Sequence, residues 1–208
     1  MTLNEYTLAH TEAEDPVLSE LNRETYLKIL RPRMLSGHLQ GKVLEQISKM
    51  IKPKTILEIG TYTGYSAICL AKGLAENGIL YTIEINDELE NFILKYFKKS
   101  CLSDKIKLHI GDAKEIIQTI DNQLDLVFID ADKPQYIDYY NLVLNKVKKG
   151  GYIIADNVLW NGKVIEKLDK NDTQTKGILD FNTFVHNDKR VENVIFPVRD
   201  GLMILRKK

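Results

Sequence analysis

Cysteine is scarce in this chain. Two occur in 208 residues, Cys69 and Cys101, and their spacing fits neither a disulfide framework nor a zinc ribbon. Both fall in helix-like stretches, so two buried free thiols in a reducing cytosol are expected. Net charge is absent as well. Lys+Arg and Asp+Glu both number 29, which removes any general pull toward nucleic acid or anionic lipid and leaves only local patches to consider. No apolar run approaches the ~20 residues of a membrane span. The opening MTLNEYTLAHTEAEDP is acidic and lacks an apolar core, so no export signal is expected and the cytoplasm is the expected location. Two nucleotide-binding fingerprints are also missing. Tyr62 stands where G-x-G-x-x-G needs its second glycine, and no G-x-x-x-x-G-K-[ST] occurs. These absences disfavour a nicotinamide oxidoreductase and a P-loop enzyme.

What is present is an ordinary globular composition, 44% hydrophobic and 28% charged, in a chain long enough for one domain with a full core. No internal repeat interrupts it. From Pro16 to Ile51 the pattern is helical, interrupted by Pro32 and loosened by Gly37 and Gly41; residues 1–51 are expected to cover the site of a single domain spanning 1–208. After Pro53 short β-rich runs alternate with helix-like stretches: TILEIG, SAICLAKGLAENG, LYTIEI, DELENFILKYFKKS, IKLHIG, AKEIIQTI, DLVFID, QYIDYYNLVLNKVKK, GYIIAD. That alternation indicates βαβ units with right-handed crossovers. VENVIFPV and GLMILRK, separated by Arg199-Asp200 and with an Asp200-Gly201 turn signal, read as an antiparallel hairpin. The expectation is an α/β fold, Rossmann-like and doubly wound: a mostly parallel seven-stranded sheet with an antiparallel C-terminal hairpin and extra N-terminal helices.

In such sheets ligands bind beyond the C-terminal strand ends, and each of these ends carries chemistry. The first runs from Glu58 into Gly60 and Gly64, which let backbone approach a ligand. The second ends in Glu84, close to the ~20-residue separation from the glycine turn expected of a ribose-binding acid. The third ends in Gly111-Asp112-Ala113, small enough to border an adenine. Together they point to a nucleoside-type cofactor. The fourth strand closes on Asp130 and the fifth on Asp156-Asn157. As neighbouring ends they would offer two carboxylates and an amide oxygen, a hard donor set suited to Mg²⁺, Mn²⁺ or Ca²⁺ rather than Zn²⁺. Lys133 follows Asp130 by three residues. Beside a cation its ammonium would be disfavoured, which suits a general base; an ordinary surface lysine fits the same spacing.

LEIGTYTGYSA, VFIDADK and ADNVLWNG, in that order, resemble the signatures of the cation-dependent class I O-methyltransferases, the group of catechol and caffeoyl-CoA O-methyltransferases. The resemblance runs from about Met34 to the end and is closer to bacterial and plant members. It implies S-adenosyl-L-methionine as cofactor, a divalent cation with Mg²⁺ foremost, a hydroxylated aromatic small molecule as substrate, and a homodimer. It places Glu58, Gly60, Tyr62 and Ser66 in the cofactor loop and Glu84 at the ribose. Ala113 falls beside the adenine and Asp132 near the methionine amino group; Asp130 and Tyr139 belong to the same cofactor set. Met34 and Ser36 would close over the cofactor. Asp130, Asp156 and Asn157 would ligate the cation, Lys133 would be catalytic, and Lys133, Asn157, Trp160 and Asn161 would face the substrate. Arg31 and Arg33 could meet an acidic substrate tail.

Two alternatives stay open. Some bacterial relatives methylate a hydroxylated uridine in tRNA, and Lys95, Lys98, Lys99, Lys105, Lys107 and Lys146, Lys148, Lys149 cluster in sequence. A non-catalytic nucleotide-binding module is the other, against which the intact Asp130, Lys133, Asp156, Asn157 set argues. Tyr136, Tyr139 and Tyr140 follow at helical spacing and read as packing or interface, with Tyr139 also within reach of cofactor or substrate. His10, His38, His109 and His186 follow no ligand spacing.

Overall fold

The runs TILEI and LDLVFI are buried at every position, as strands covered by helices on both faces must be. In the computed structural model, which describes residues 1–208, they are β1 (Thr55–Ile59) and β4 (Leu124–Ile129) of one sheet. The others are β2 (Ile79–Glu84), β3 (Ile106–Ile110), β5 (Val147–Ala155), β6 (Val191–Phe196) and β7 (Leu202–Lys207). The strand order is β3-β2-β1-β4-β5-β7-β6. Strands β1 to β5 pair in parallel, and β7 pairs antiparallel with both β5 and β6. The order reverses between β1 and β4, the place where a doubly wound sheet opens a crevice. The expected seven strands, their mostly parallel arrangement and the C-terminal hairpin are all present.

Side-chain alternation along the strands divides the core in two. Leu57, Ile59, Val127 and Ile129 face α6 (Ala113–Thr119), α7 (Tyr136–Leu144) and α8 (Thr173–Asn187). Ile56, Leu126 and Phe128 face α2 (Pro16–Lys28), α3 (Gly37–Ile51), α4 (Tyr65–Ala71) and α5 (Glu90–Lys99). Asp15 caps α2 by accepting from the Val17 N–H at 2.8 Å, with Pro16 at the first helical position. A short helix α1 (Leu3–Ala9), unforeseen in the pattern because it buries no residue, is held by a Thr2/Glu5 capping box. No helix is long and apolar enough to cross a membrane.

Four expectations need correcting. Gly41 does not loosen α3: a Cβ there would lie 2.5 Å from Tyr65 Cε1 and 2.8 Å from Cys69 Sγ, so glycine is what lets α3 seat directly on α4. Cys101 is exposed rather than buried, because α5 ends at Lys99 and Cys101 turns outward at φ 58°; Cys69 is buried as expected. The helix expected over SAICLAKGLAENG stops at Ala71. The stretch Val147–Lys149 belongs to β5 rather than to a helix, with Lys148 pointing out to an ion pair with Asp125.

Gly41→Val is expected to destabilise the protein by about 1–3 kcal/mol through overpacking, measured by urea unfolding. A variant as stable as the parent would contradict the close seating of α3.

Candidate active site

Strand register builds the site. Ile129 pairs with Ala155 across β4 and β5, and Ile59 with Ile129 across β1 and β4. The next residues therefore emerge together: Gly60, Asp130 and Asp156. The ladder continues one step past the strands, with Asp130 N–H donating to Ile59 O and Asp156 N–H to Ile129 O, both at 2.9 Å. Gly60, at φ 97°, leaves no room for a side chain, since a Cβ would stand 2.0 Å from the Asp130 carbonyl oxygen.

Lys133 Nζ donates to Asp130 Oδ1 at 3.0 Å and to the Tyr136 hydroxyl at 2.7 Å. Tyr136 passes the bond on to the Asp156 carbonyl at 3.1 Å. The Nζ also lies 5.8 Å from the Trp160 ring centre. Asp156 is buried and receives Gln40 Nε2 at 2.5 Å and the Asn157 N–H at 2.6 Å. Burial, and then the Asp130 charge beside it, push the Asp156 carboxyl up to about 7. No group of three or more His, Cys, Asp or Glu side chains that could hold a metal is gathered in the chain. The donor set at these strand ends is two carboxylates and the amide of Asn157, whose nitrogen turns toward Asp200 Oδ2 at 3.5 Å. Two repelling carboxylates with all-oxygen chemistry fit a hard divalent cation.

On the other side of Gly60 lies a second acidic pair. Glu58 is fully buried, with Thr82 Oγ1 donating to Oε2 at 2.5 Å and Oε1 left without a partner. Burial pushes its carboxyl up to about 8, only partly offset by the hydroxyls of Ser66 and Thr82. Glu84 closes β2 and is gripped by the N–H groups of Tyr62 at 2.7 Å and Asn86 at 3.0 Å; burial raises its carboxyl too. Two buried carboxylates at neighbouring strand ends, one with an oxygen left without a partner, fit a neighbouring cationic group bearing hydroxyls.

The sequence matches an O-methyltransferase family model over residues 8–208. The chain belongs to that O-methyltransferase family. It is 30% identical over 207 residues to a probable caffeoyl-CoA O-methyltransferase 2 of Dictyostelium discoideum, covering 97% of this chain and 90% of the relative. It is 34% identical over 179 residues to caffeoyl-CoA O-methyltransferase 2 of Eucalyptus globulus, covering 81% and 72%. Among solved structures it resembles the O-methyltransferase of Bacillus cereus, crystallised with SAH, at a TM-score of 0.92 and 28% identity over 99% of this chain and 97% of that one. TomG of Streptomyces achromogenes, crystallised with SAM, follows at a TM-score of 0.90 and 26% identity, with both chains fully covered.

In this O-methyltransferase, Gly60 and Tyr62 follow β1, Ser66 is buried on α4 and Glu84 closes β2, while Ser36 is buried ahead of α3 and Met34 is 55% exposed. Ala113 opens α6 behind its cap Asp112, and Tyr139 is buried on α7. Asp132 accepts from Gln135 and Gln174, each at 3.0 Å. Asn161 gives its N–H to Asp200. Arg31 and Arg33 are exposed. Tyr136, read as packing, does pack edge-on against Phe181 with ring centres 5.3 Å apart, but its hydroxyl also holds Lys133. Gln40, Arg199 and Asp200 had no local signal, because they arrive from the front helix and the last hairpin. Tyr136 had one, standing three residues after Lys133 on the same helical turn.

The raised Glu58 carboxyl gives a pH signature. Its folded value lies above the ordinary 4.5, so the folded state binds the extra proton and stability is lost as pH rises from about 5 to 8. Glu58→Gln is expected to flatten that fall, by about a few kcal/mol across the window. Parallel urea-unfolding curves for both proteins at each pH would contradict it.

Proposed function

We propose that this chain transfers the methyl group of S-adenosylmethionine to one hydroxyl of a catechol-type small molecule, with a divalent cation held by Asp130, Asp156 and Asn157. The observation that carries this reading is the pair of adjacent strand-end carboxylates, Asp130 and Asp156, with Lys133 Nζ 3.0 Å from Asp130. The relatives named for caffeoyl-CoA and the neighbours crystallised with SAM or SAH support it. A bound cation supplies acidity to a coordinated hydroxyl and fixes its place.

The chain's own residues do the rest. Glu58 and Glu84 suit the cationic and ribose parts of the donor, with Ser66, Tyr62, Ala113, Asp132 and Tyr139 along its length. Gly60 keeps the crevice open to backbone approach. Lys133, after releasing a proton from its ammonium as a cation replaces it at Asp130, would take the acceptor proton at Nζ, held in position by Tyr136. Trp160 and Asn161 wall the acceptor side, and Met34 and Ser36 cover the donor. Holding donor and acceptor at attack distance is worth roughly 7–11 kcal/mol of barrier. The reading treats 1–208 as one cytoplasmic methyltransferase domain with residues 1–51 as its cover. Association as a homodimer is supported by the exposed Val194, Ile195 and Phe196 on the edge strand β6.

The tRNA alternative finds less support. Lys95 and Lys99 are paired with Glu24 and Glu20, Lys148 with Asp125, and Lys146 Nζ donates to Ile120 O at 2.7 Å. Lys98, Lys105, Lys107 and Lys149 form no ion pair, so four of the eight lysines remain free and the track is interrupted rather than continuous.

Transfer of labelled methyl to a catechol panel, with Mg²⁺, with excess chelator, and against bulk tRNA, tests the proposal. Catechol labelling abolished by chelator is the expected result; labelled tRNA with inert catechols would overturn the substrate. Lys133→Met is expected to lower kcat by about 10²–10⁴-fold while leaving donor binding by calorimetry unchanged. Full activity in that variant would remove Lys133 from the chemistry.

A further inference from the structure

The turn between β6 and β7 touches both walls of the site. Arg199 Nη1 donates to the Leu35 carbonyl at 2.9 Å and to the Ser36 carbonyl. These belong to the short segment ahead of α3 that also carries Met34. Asp200 reaches the opposite way. Its backbone carbonyl accepts from the Leu159 N–H at 2.9 Å. Its carboxylate accepts from the Asn161 N–H and faces Asn157 Nδ2 at 3.5 Å. Gly201 O adds the Val158 N–H at 3.1 Å. Two adjacent residues thus join chain segments far apart in sequence, one on each side of the crevice.

Beyond Leu35, which is buried in the core, the front segment has few other polar anchors. Its own turn bonds, Met34 N–H to Arg31 O at 3.0 Å and Leu35 N–H to Pro32 O at 3.2 Å, are internal. Outside itself it is met by the Tyr62 hydroxyl, which donates to Leu30 O at 3.0 Å. Arg199 also sits at φ 50°, a left-handed conformation that side chains disfavour and glycine adopts freely. The turn geometry gives no reason for an arginine at this position. The two carbonyls it grips do, because both accept from Nη1, whose two N–H donors are fixed in the guanidinium plane.

We propose that Arg199 and Asp200 are a positioning pair that locks the donor-covering segment Met34–Ser36 to the acceptor-facing loop Asn157–Asn161, so that donor affinity depends on a residue of the last hairpin. This rests on the reading of Met34–Ser36 as the donor's cover. Asp200 fixes the Asn157 amide with its nitrogen outward, and Arg199 holds the cover against the same turn. Neither touches the reacting atoms.

Arg199→Gly is the decisive variant, since glycine keeps the left-handed turn and removes only the side chain. In the full chain, trypsin cleavage at Arg33–Met34, followed by mass spectrometry, is expected to be about tenfold faster than in the parent. S-adenosylhomocysteine affinity by calorimetry is expected to fall about tenfold, the scale of one lost charge-assisted contact, with Tm within about 2 °C. Arg199→Lys, which keeps the charge but not the fork, is expected to recover part of both losses. Parental cleavage rate and affinity in Arg199→Gly would overturn the proposal. So would outright unfolding, which would make the contact a support of the fold. A parent protein that binds no S-adenosylhomocysteine would sink the donor reading instead, and the cleavage rates would still decide whether Arg199 holds the segment.

Discussion

The register between β4 and β5 is the constraint on which the site depends. Ile129 lies opposite Ala155, so each strand delivers its first residue beyond the sheet to the same place, and both are aspartates. A slip of one residue would turn one of them to the other face. The register is held by strands buried on both sides, where every misplaced side chain would cost core packing. The pairing of β1 with β4 then brings Gly60 against Asp130 so closely that no other residue fits. The acidic crevice and the carboxylate pair therefore share one wall.

Placing two carboxylates side by side at the carboxyl ends of two interior strands is unfavourable, and the surroundings show how it is contained. Lys133 neutralises Asp130 directly. Asp156 is held by an amide from α3 and by its neighbour's backbone N–H, and still its carboxyl is pushed up to about 7. Such an arrangement favours arrival of positive charge, which is the electrostatic logic of perturbed groups at functional sites. Glu58 repeats it across Gly60, buried with one oxygen unsatisfied.

Much of this was legible in the chain. The alternation of β-rich runs and helices specified the sheet, because both periods are written in the apolar positions. The strand-end residues Glu58, Gly60, Glu84, Asp130 and Asp156 stood out because polar residues rarely close buried strands without a purpose. What could not be read came from sequence-distant contact. Gln40 reaches Asp156 only once α3 is seated on α4, and Gly41, which permits that seating, looked like a weak point in a helix. Cys101 misled because a helical period was carried past the end of α5. Tyr136 shows a residue serving both as core packing and as a polar partner, which periodicity alone assigns to packing.

Under the proposed function, Asp130 and Asp156 would together form one cation site. Its most direct test is titration of Mn²⁺ into the protein without donor or acceptor, followed by electron paramagnetic resonance, in the parent and in Asp130→Ala and Asp156→Ala. One ion per chain is expected in the parent, with loss of that ion in both variants. A parent that leaves all the Mn²⁺ free, or variants that bind it as the parent does, would contradict it.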